Sequence, residues 1–202
     1  MPLARTYESW EVRDFMRKSE GSPSPVTGAD AHARVLHGGS TDHGKMSSVT
    51  TGMHHRTHKQ TGESNNQFKN RGGTARTSAF DNLIFQSAAV TQAFNSPFGQ
   101  GALAVLDDPA NAGKKMRLVL EFAGIGESDF MNTGSGPSMK TVHKNDTSVS
   151  SVPGAAGVKV IVDKGPATTE PFIQTCFPLN VCAASSYTVT DWGPPKAQIA
   201  AG

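Results

Sequence analysis

The chain has 202 residues, enough for one large domain or for one domain with an appendage. A hydrophobic fraction of 36%, with 21 Gly and 12 Pro, predicts a modest core and long loops. The net charge of +2 does not indicate a nucleic-acid or membrane partner. No apolar run approaches the ~18 residues of a membrane span, and no charged and apolar leader opens the sequence, so we expect a soluble protein.

The N-terminal part is predicted to hold one amphipathic helix in residues 6–20, followed by a linker. Trp10, Val12, Phe15 and Met16 recur at helical spacing in this segment. Residues 21–52 are rich in Gly, Ser and Thr, which favours a loop with at most one helical turn at 31–36. We therefore expect residues 1–50 to form a helix plus a flexible appendage.

The sequence becomes more apolar after residue 76, and a second helix is predicted within 77–109. Ser78 or Asp81 could cap this helix, Pro97 would end it, and a further helical piece could follow at 99–106. The residues on its apolar period are Phe80, Leu83, Ile84, Ala88, Val90, Ala93 and Phe94.

The C-terminal half is predicted to consist of strands joined by long loops. Alternating or β-rich segments occur at 116–122, 158–164, 171–180 and 185–193, with a shorter one near 139–143. Helices followed by strands indicate an α+β fold, with N-terminal helices and then a small twisted antiparallel sheet. We assign the principal domain to 51–193 and a frayed tail to 194–202.

A histidine cluster in the segment GMHHRTHKQTG, residues 52–62, is the best candidate for chemistry. His54, His55 and His58 fall within five positions, and Arg56 and Lys59 lie among them. The stretch 54–76 holds five basic residues and one acidic residue, Glu63. Such a local cationic patch is plausible for a phosphate-bearing ligand.

The histidine spacing could indicate a metal site, but the residues around the histidines disfavour one. His54 and His58 at i, i+4 would share a helix face, and His37 and His43 could add ligands. No H-E-x-x-H glutamate is present, and the cysteines lie more than a hundred residues away. The two cations inside the cluster would also repel a metal ion. We therefore expect no metal and no cofactor.

Two other chemistries have weaker support. The segments GIGESDF and TGSGPS lack a following G-K-[ST], so they do not predict a phosphate-binding P-loop. Cys176 could act as a nucleophile only with a histidine brought from elsewhere in the fold. Cys176 and Cys182 could close a small disulfide loop or remain free thiols.

Acid/base cleavage of RNA fits the inventory of side chains. Such cleavage needs a base near the 2′-OH, a proton donor for the leaving oxygen and cations for the phosphorane. Histidine can do the first two near neutral pH. Lys69 and Arg71, which follow the cluster, could supply the charge.

The order of these short motifs resembles the pancreatic-ribonuclease-like toxin domains at the C-termini of bacterial contact-dependent inhibition and related polymorphic toxins. Here a histidine pair is followed eleven to thirteen positions later by a basic residue, then by TSAF, MRLVLEF, VKVIVDK and FIQTCFP. The family shows a GGH…H-x-G stretch, a following Arg, a Ser-Ser-Phe or Ser-Thr-Phe helix entry, and a strand reading Thr-Ala-Tyr-Pro or Thr-Ala-Phe-Pro. The resemblance covers roughly residues 52–180. The wider group of barnase-like and colicin-like toxin nucleases shares the helices-then-sheet plan.

The resemblance implies a set of site residues. His58 matches the catalytic histidine and His54 the upstream one, with His55 as an alternative to either. Arg71 or Lys69 matches the phosphate-binding cation. Thr175 matches the threonine of the terminal strand. The remaining residues expected to bind the substrate are Arg56, Lys59, Arg76, Ser78 and Phe177.

Two departures from the family pattern affect these assignments. The Gly that follows the second histidine is displaced to Gly62, so the histidine register is open by one to four positions. Phe177 stands where the family often has a tyrosine, and it cannot donate a hydrogen bond.

The function implied is a metal-independent ribonuclease toxin used in interbacterial competition. It would be secreted or delivered into the cytoplasm of a target bacterium, without membrane insertion of this domain, and neutralised by a cognate acidic immunity protein. An ADP-ribosyltransferase toxin, using Arg76 and the late Glu170, is one alternative. A non-enzymatic structural or virion assembly protein is another.

Overall fold

The computed structural model describes residues 2–37, 57–70, 73–125, 139–143, 150–152 and 154–193. Its helices are α1 (Ser9–Ser19), α2 (Ala33–His37), α3 (Asn65–Asn70), α4 (Leu83–Asn95) and α5 (Pro97–Asp107), with a 3-10 turn at Pro109–Asn111. Its strands are β1 (Arg76–Phe80), β2 (Met116–Ala123), β3 (Met139–His143), β4 (Ser150–Val152), β5 (Gly157–Lys164), β6 (Phe172–Leu179) and β7 (Ser186–Asp191).

The strands form two antiparallel sheets. The larger has the order β6-β5-β2-β7, and the smaller has the order β1-β3-β4. Because the helices lie mostly before the larger sheet in the chain, the prediction of an α+β fold with N-terminal helices and an antiparallel sheet is confirmed.

The core lies between one face of the larger sheet and the helices α1, α4 and α5. Leu118 and Leu120 of β2 lie opposite Val162 and Val160 of β5, and all four side chains are fully buried. Alternation along each strand places these apolar side chains on one face. Phe94 of α4 packs into the same core. Each such side chain contributes about 1.5–3 kcal/mol by its removal from water.

The N-terminal segment packs into this same core. Leu3, Tyr7 and Met16 are almost completely buried in it. The side chain of Asn95 holds Tyr7 by two backbone hydrogen bonds of 2.8 Å each, from Tyr7 N to Asn95 Oδ1 and from Asn95 Nδ2 to Tyr7 O. Residues 2–37 are therefore tied to the helices and the sheet. The predicted boundary at residue 50 lies outside the described residues.

The segment TSAF is a strand, which corrects the prediction that it enters a helix. Ser78 lies in β1, and the N-cap of α4 is Asn82, whose Oδ1 accepts a 2.8 Å hydrogen bond from Phe85 N. Ser78 pairs with Thr141 of β3, a partner more than sixty residues away. The helical period in the sequence cannot reveal such pairing, because it reports only local spacing.

Two prolines lie at positions where the missing N–H is tolerated. Pro97 begins α5 rather than simply ending α4, and the Ser96 hydroxyl caps α5 by accepting from Gly99 N at 3.0 Å. Proline suits the first helical position because no partner there needs its missing N–H. Pro178 lies inside β6, which continues to Leu179. Since β6 is at the edge of the larger sheet, it tolerates a proline.

Candidate functional site

A cavity of about 590 Å³ lies in the part of the chain that the histidine and cation pattern singled out. It is formed by residues 57–59, helix α3 and residues 73–75. Its lining includes Thr57, His58, Lys59, Phe68, Lys69 and Gly73. Three of the residues predicted from sequence for the site, His58, Lys59 and Lys69, therefore share one cavity.

His58 is half-buried at this cavity, and one nitrogen of its ring contacts a buried hydroxyl. Its Nδ1 lies 2.9 Å from the hydroxyl oxygen of Thr57, a residue that is only 1% exposed. A buried neighbour that engages one ring nitrogen restricts the orientation of the imidazole. Fixed orientation is what an acid/base histidine requires, because proton transfer needs hydrogen-bond geometry with the substrate.

Local sequence explains why the cavity wall forms. Ser64 and Gln67 make a reciprocal cap at the start of α3: Gln67 N donates to Ser64 Oγ at 3.3 Å, and Ser64 N donates to Gln67 Oε1 at 2.9 Å. Gly62 makes the preceding turn with φ +81°, in the left-handed region that glycine tolerates best. These turns fold the chain between Lys59 and Lys69 back on itself.

Gly73 closes the other end of α3. Its N–H donates to Phe68 O at 2.8 Å, and a Cβ on Gly73 would lie 2.5 Å from that same oxygen. Only glycine lets the chain pass so close to the helix end before β1 begins at Arg76. Packing against the end of α3 therefore favours glycine at position 73.

The electrostatic character of the cavity is positive. Lys59 and Lys69 are exposed at its lining. Glu63, the acidic residue of the stretch, is directed to the backbone, since its Oε2 accepts from Gln60 N at 2.9 Å. Glu63 is not among the residues that line the cavity. Two ammonium groups beside an oriented imidazole are suited to an anionic substrate.

Ser78 and Phe177 are brought together elsewhere, around His37 of α2. The His37 Nδ1 lies 2.7 Å from Ser78 O, and because a carbonyl can only accept, this nitrogen carries the proton. The His37 and Phe177 rings are 5.1 Å apart between centroids. Ser78 Oγ donates to Pro178 O at 2.8 Å. This cluster joins α2, β1 and β6, whereas the sequence pattern indicates His37 only as a possible metal ligand.

Thr175 lies on β6, two residues from Phe177 and on the same face of the strand. It is 6% exposed, and its hydroxyl makes no hydrogen bond within the described part of the chain. Thr175 is not among the residues lining the cavity of His58. Arg76 is exposed at the start of β1, next to Ala75, which does line that cavity.

The other predicted site residues lie outside the described residues. These are His54, His55, Arg56 and Arg71. Among the residues that the structure does describe, no three of the His, Cys, Asp and Glu side chains are grouped so that they could hold a metal ion. His43, the other possible ligand, is likewise outside the described ranges.

Cys176 is a core residue rather than an activated nucleophile. Both cysteines are free, and Cys176 is completely buried. Its sulfur lies 3.5 Å from Met16 Sδ and 3.3 Å from Gln86 Nε2. Burial raises the pKa of the Cys176 thiol well above its usual range, so the thiolate is strongly disfavoured.

No described helix has the length and apolarity that crossing a membrane would require.

Comparison of the chain with protein-family models, curated proteins and solved structures gives no match.

Proposed function

We propose that the protein is a metal-independent endoribonuclease whose acid/base histidine is His58. The observation that carries the proposal is the His58 imidazole, held by the buried Thr57 hydroxyl in a cavity that Lys59 and Lys69 also line. An oriented imidazole beside two ammonium groups is what transphosphorylation of RNA needs: proton transfer and stabilisation of an anionic phosphorane.

In the proposed reaction, a histidine of the cluster removes the proton from a 2′-hydroxyl, and His58 is the leading candidate. The 2′-oxygen then attacks the adjacent phosphorus, and the bond from phosphorus to the 5′-oxygen breaks. The leaving oxygen takes a proton from a second acid, for which His54 and His55 are the candidates. The products are a 2′,3′-cyclic phosphate and a 5′-hydroxyl end.

Charge stabilisation is assigned to the basic residues that follow the cluster. Lys69, at the cavity, or Arg71 would hold the pentacoordinate phosphate. Lys59, Arg56 and Arg76 would bind neighbouring phosphates. Thr175 is proposed to hydrogen-bond a non-bridging oxygen, because its hydroxyl makes no hydrogen bond to the described residues.

The biological setting in this proposal is that of a toxin delivered into a competing bacterium. The order of motifs from the histidine cluster to TCFP supports it, through the likeness to polymorphic toxin domains. A producing cell must neutralise such an enzyme. The partner proposed is an acidic immunity protein that covers the cationic stretch 54–76, in which five residues are basic and one is acidic.

The test is incubation of total RNA with the purified protein, with and without EDTA, followed by gel electrophoresis. We expect cleavage that survives chelation and leaves 2′,3′-cyclic phosphate ends. His58→Ala should abolish cleavage. His32→Ala is the matched control, because the His32 ring is also half-buried but contacts Asp30 O at 3.2 Å, away from the cavity. Full activity of His58→Ala would overturn the assignment.

Further measurements on the same protein distinguish this function from its alternatives. NAD consumption without RNA loss would support an ADP-ribosyltransferase. For that activity Glu170 would be the late glutamate, and its Oε2 is engaged by Lys18 Nζ at 3.0 Å. Stable higher-order assembly with no toxicity on expression would support a structural protein.

A further inference from the structure

A second cavity, of about 720 Å³, lies where β2 begins and β7 ends. It shares no lining residue with the cavity of His58. Its lining includes Lys114 and Lys115, which precede β2, and Asp191 and Trp192 at the end of β7. Val26 and Thr27 also line this cavity. Neither the histidine pattern nor the proposed ribonuclease reaction uses these residues.

Trp192 is held in place yet remains accessible. Its backbone N–H donates to Lys115 O at 2.6 Å. Its ring lies over the Arg117 guanidinium, with Cζ 5.1 Å from the ring centroid. Arg117 is fixed in turn by two 2.7 Å hydrogen bonds to the fully buried Asp163. The Trp192 side chain is nevertheless 42% exposed. The result is a pre-positioned aromatic surface at a cavity.

Two ammonium groups lie beside this aromatic surface. Lys114 Nζ is 3.2 Å from Asn111 Oδ1 and 3.9 Å from Asp191 Oδ2. Lys115 is exposed and forms no ion pair within the described part of the chain. Asp191 is the one carboxylate in the described lining, and it partly neutralises Lys114.

We propose that this cavity binds a nucleotide, with the base stacked on Trp192 and the phosphate held by Lys114 and Lys115. Aromatic side chains bind bases by stacking, and neighbouring cations bind the backbone phosphate. The cavity volume is in the range of small-molecule sites. A simple anion would make no stacking contact with Trp192, and an apolar ligand would leave the charges of the two lysines unpaired. The site goes beyond the proposed ribonuclease activity and does not depend on it.

The same chemistry could be supplied by a free mononucleotide or by one nucleotide of a single strand. Quenching of tryptophan fluorescence can measure the binding of each ligand, because the chain has only two tryptophans, Trp10 and Trp192. Trp10 is 65% exposed on α1, so Trp10→Phe should leave the fold intact and make Trp192 the sole reporter. The probes are AMP, adenosine, inorganic phosphate and hexadeoxyadenylate, which has no 2′-hydroxyl to react.

We expect saturable quenching of Trp192 by AMP, weaker binding of adenosine and no quenching by phosphate alone. Hexadeoxyadenylate binding at least tenfold more tightly than AMP would identify single strands as the source. Equal or weaker binding of this oligonucleotide would identify the free nucleotide. Absence of saturable quenching by both AMP and hexadeoxyadenylate would overturn the proposal.

Variants of the charged residues test the proposal by the direction in which they change AMP binding, and they leave Trp192 in place. Lys115→Ala should weaken AMP binding by roughly two- to fivefold. Asp191→Asn should strengthen it, because the carboxylate that competes for Lys114 is gone. Lys159→Ala, which removes a lysine paired with Glu121 outside the cavity, is the charge-matched control. His58→Ala should leave quenching unchanged. Equal effects of Lys115→Ala and Lys159→Ala would overturn the assignment of the phosphate to this cavity.

Discussion

The hydroxyl oxygen of Thr57 lies 2.9 Å from Nδ1 of His58, and Thr57 itself is buried while His58 is half-exposed to a cavity. The contact links the protein interior to the one described histidine of the 52–62 cluster. An adjacent buried hydroxyl can set both the ring orientation and the preferred tautomer of a histidine. In the proposed ribonuclease, Thr57 is therefore a positioning residue for His58.

The first prediction concerns this contact. Thr57→Val keeps the side-chain shape but removes the hydroxyl, so the His58 ring loses one restraint. We expect kcat for RNA cleavage to fall by about five- to tenfold, in line with the loss of one hydrogen bond, with KM little changed. Steady-state kinetics on a short RNA substrate measures both constants. Thr57→Ser retains the hydroxyl and should remain close to the parent, whereas equal losses in the two variants would indicate a packing effect instead.

The second prediction concerns the cations of the cavity. Lys69→Ala removes an ammonium group proposed to bind phosphate, so fewer counterions are released when RNA binds. The slope of log kcat/KM against log salt should become shallower by about 0.7 for each phosphate that the protein no longer neutralises, and Lys69→Arg should restore it. Kinetics across a salt series measures the slope. Lys18→Ala makes the same change in net charge, but Lys18 forms ion pairs with Asp14 and Glu170. An equal change of the salt slope in this variant would indicate an effect of net charge alone.

The third prediction separates stability from activity at Thr175. Its buried hydroxyl makes no hydrogen bond to described residues, so Thr175→Val removes a polar group that is costly to bury. We expect the free energy of unfolding to stay constant or rise by about 1 kcal/mol. RNA cleavage should fall at least tenfold if the hydroxyl binds phosphate. Urea unfolding and kinetics measure the two effects. A stabilised variant with full activity would place Thr175 outside the site.

The fourth prediction concerns the two thiols. Because burial raises the pKa of Cys176 and shields its sulfur, this thiol should not react with Ellman's reagent in the folded protein. Cys182 is partly exposed and should react, though slowly, since burial also raises its pKa. The expected result is one thiol titrated in native buffer and two in denaturant. Cys176→Ala should retain RNA cleavage, and loss of cleavage in a variant with a native circular dichroism spectrum would restore Cys176 as a candidate nucleophile.

Local pattern was sufficient for most elements of the fold. The apolar period after residue 82 and the alternation in 116–122 and 158–164 correspond to α4, β2 and β5, because helix and strand spacing is a property of neighbouring residues. The described walls of the His58 cavity come from one short segment, 57–75, in which the sequence pattern had placed the candidate site residues His58, Lys59 and Lys69. Turns at Gly62 and Ser64 lie within that segment.

Tertiary structure alone decided the pairings between distant segments. TSAF is a strand because β3, about sixty residues later, supplies its hydrogen-bond partners. His37 contacts Ser78 and Phe177 because α2, β1 and β6 meet in space. Trp192 covers Arg117 because β7 pairs with β2. Most helices and strands, and the cationic stretch 54–76, could be read from local spacing and composition. Contacts between side chains from distant segments were decided by long-range packing, whose register no local period encodes.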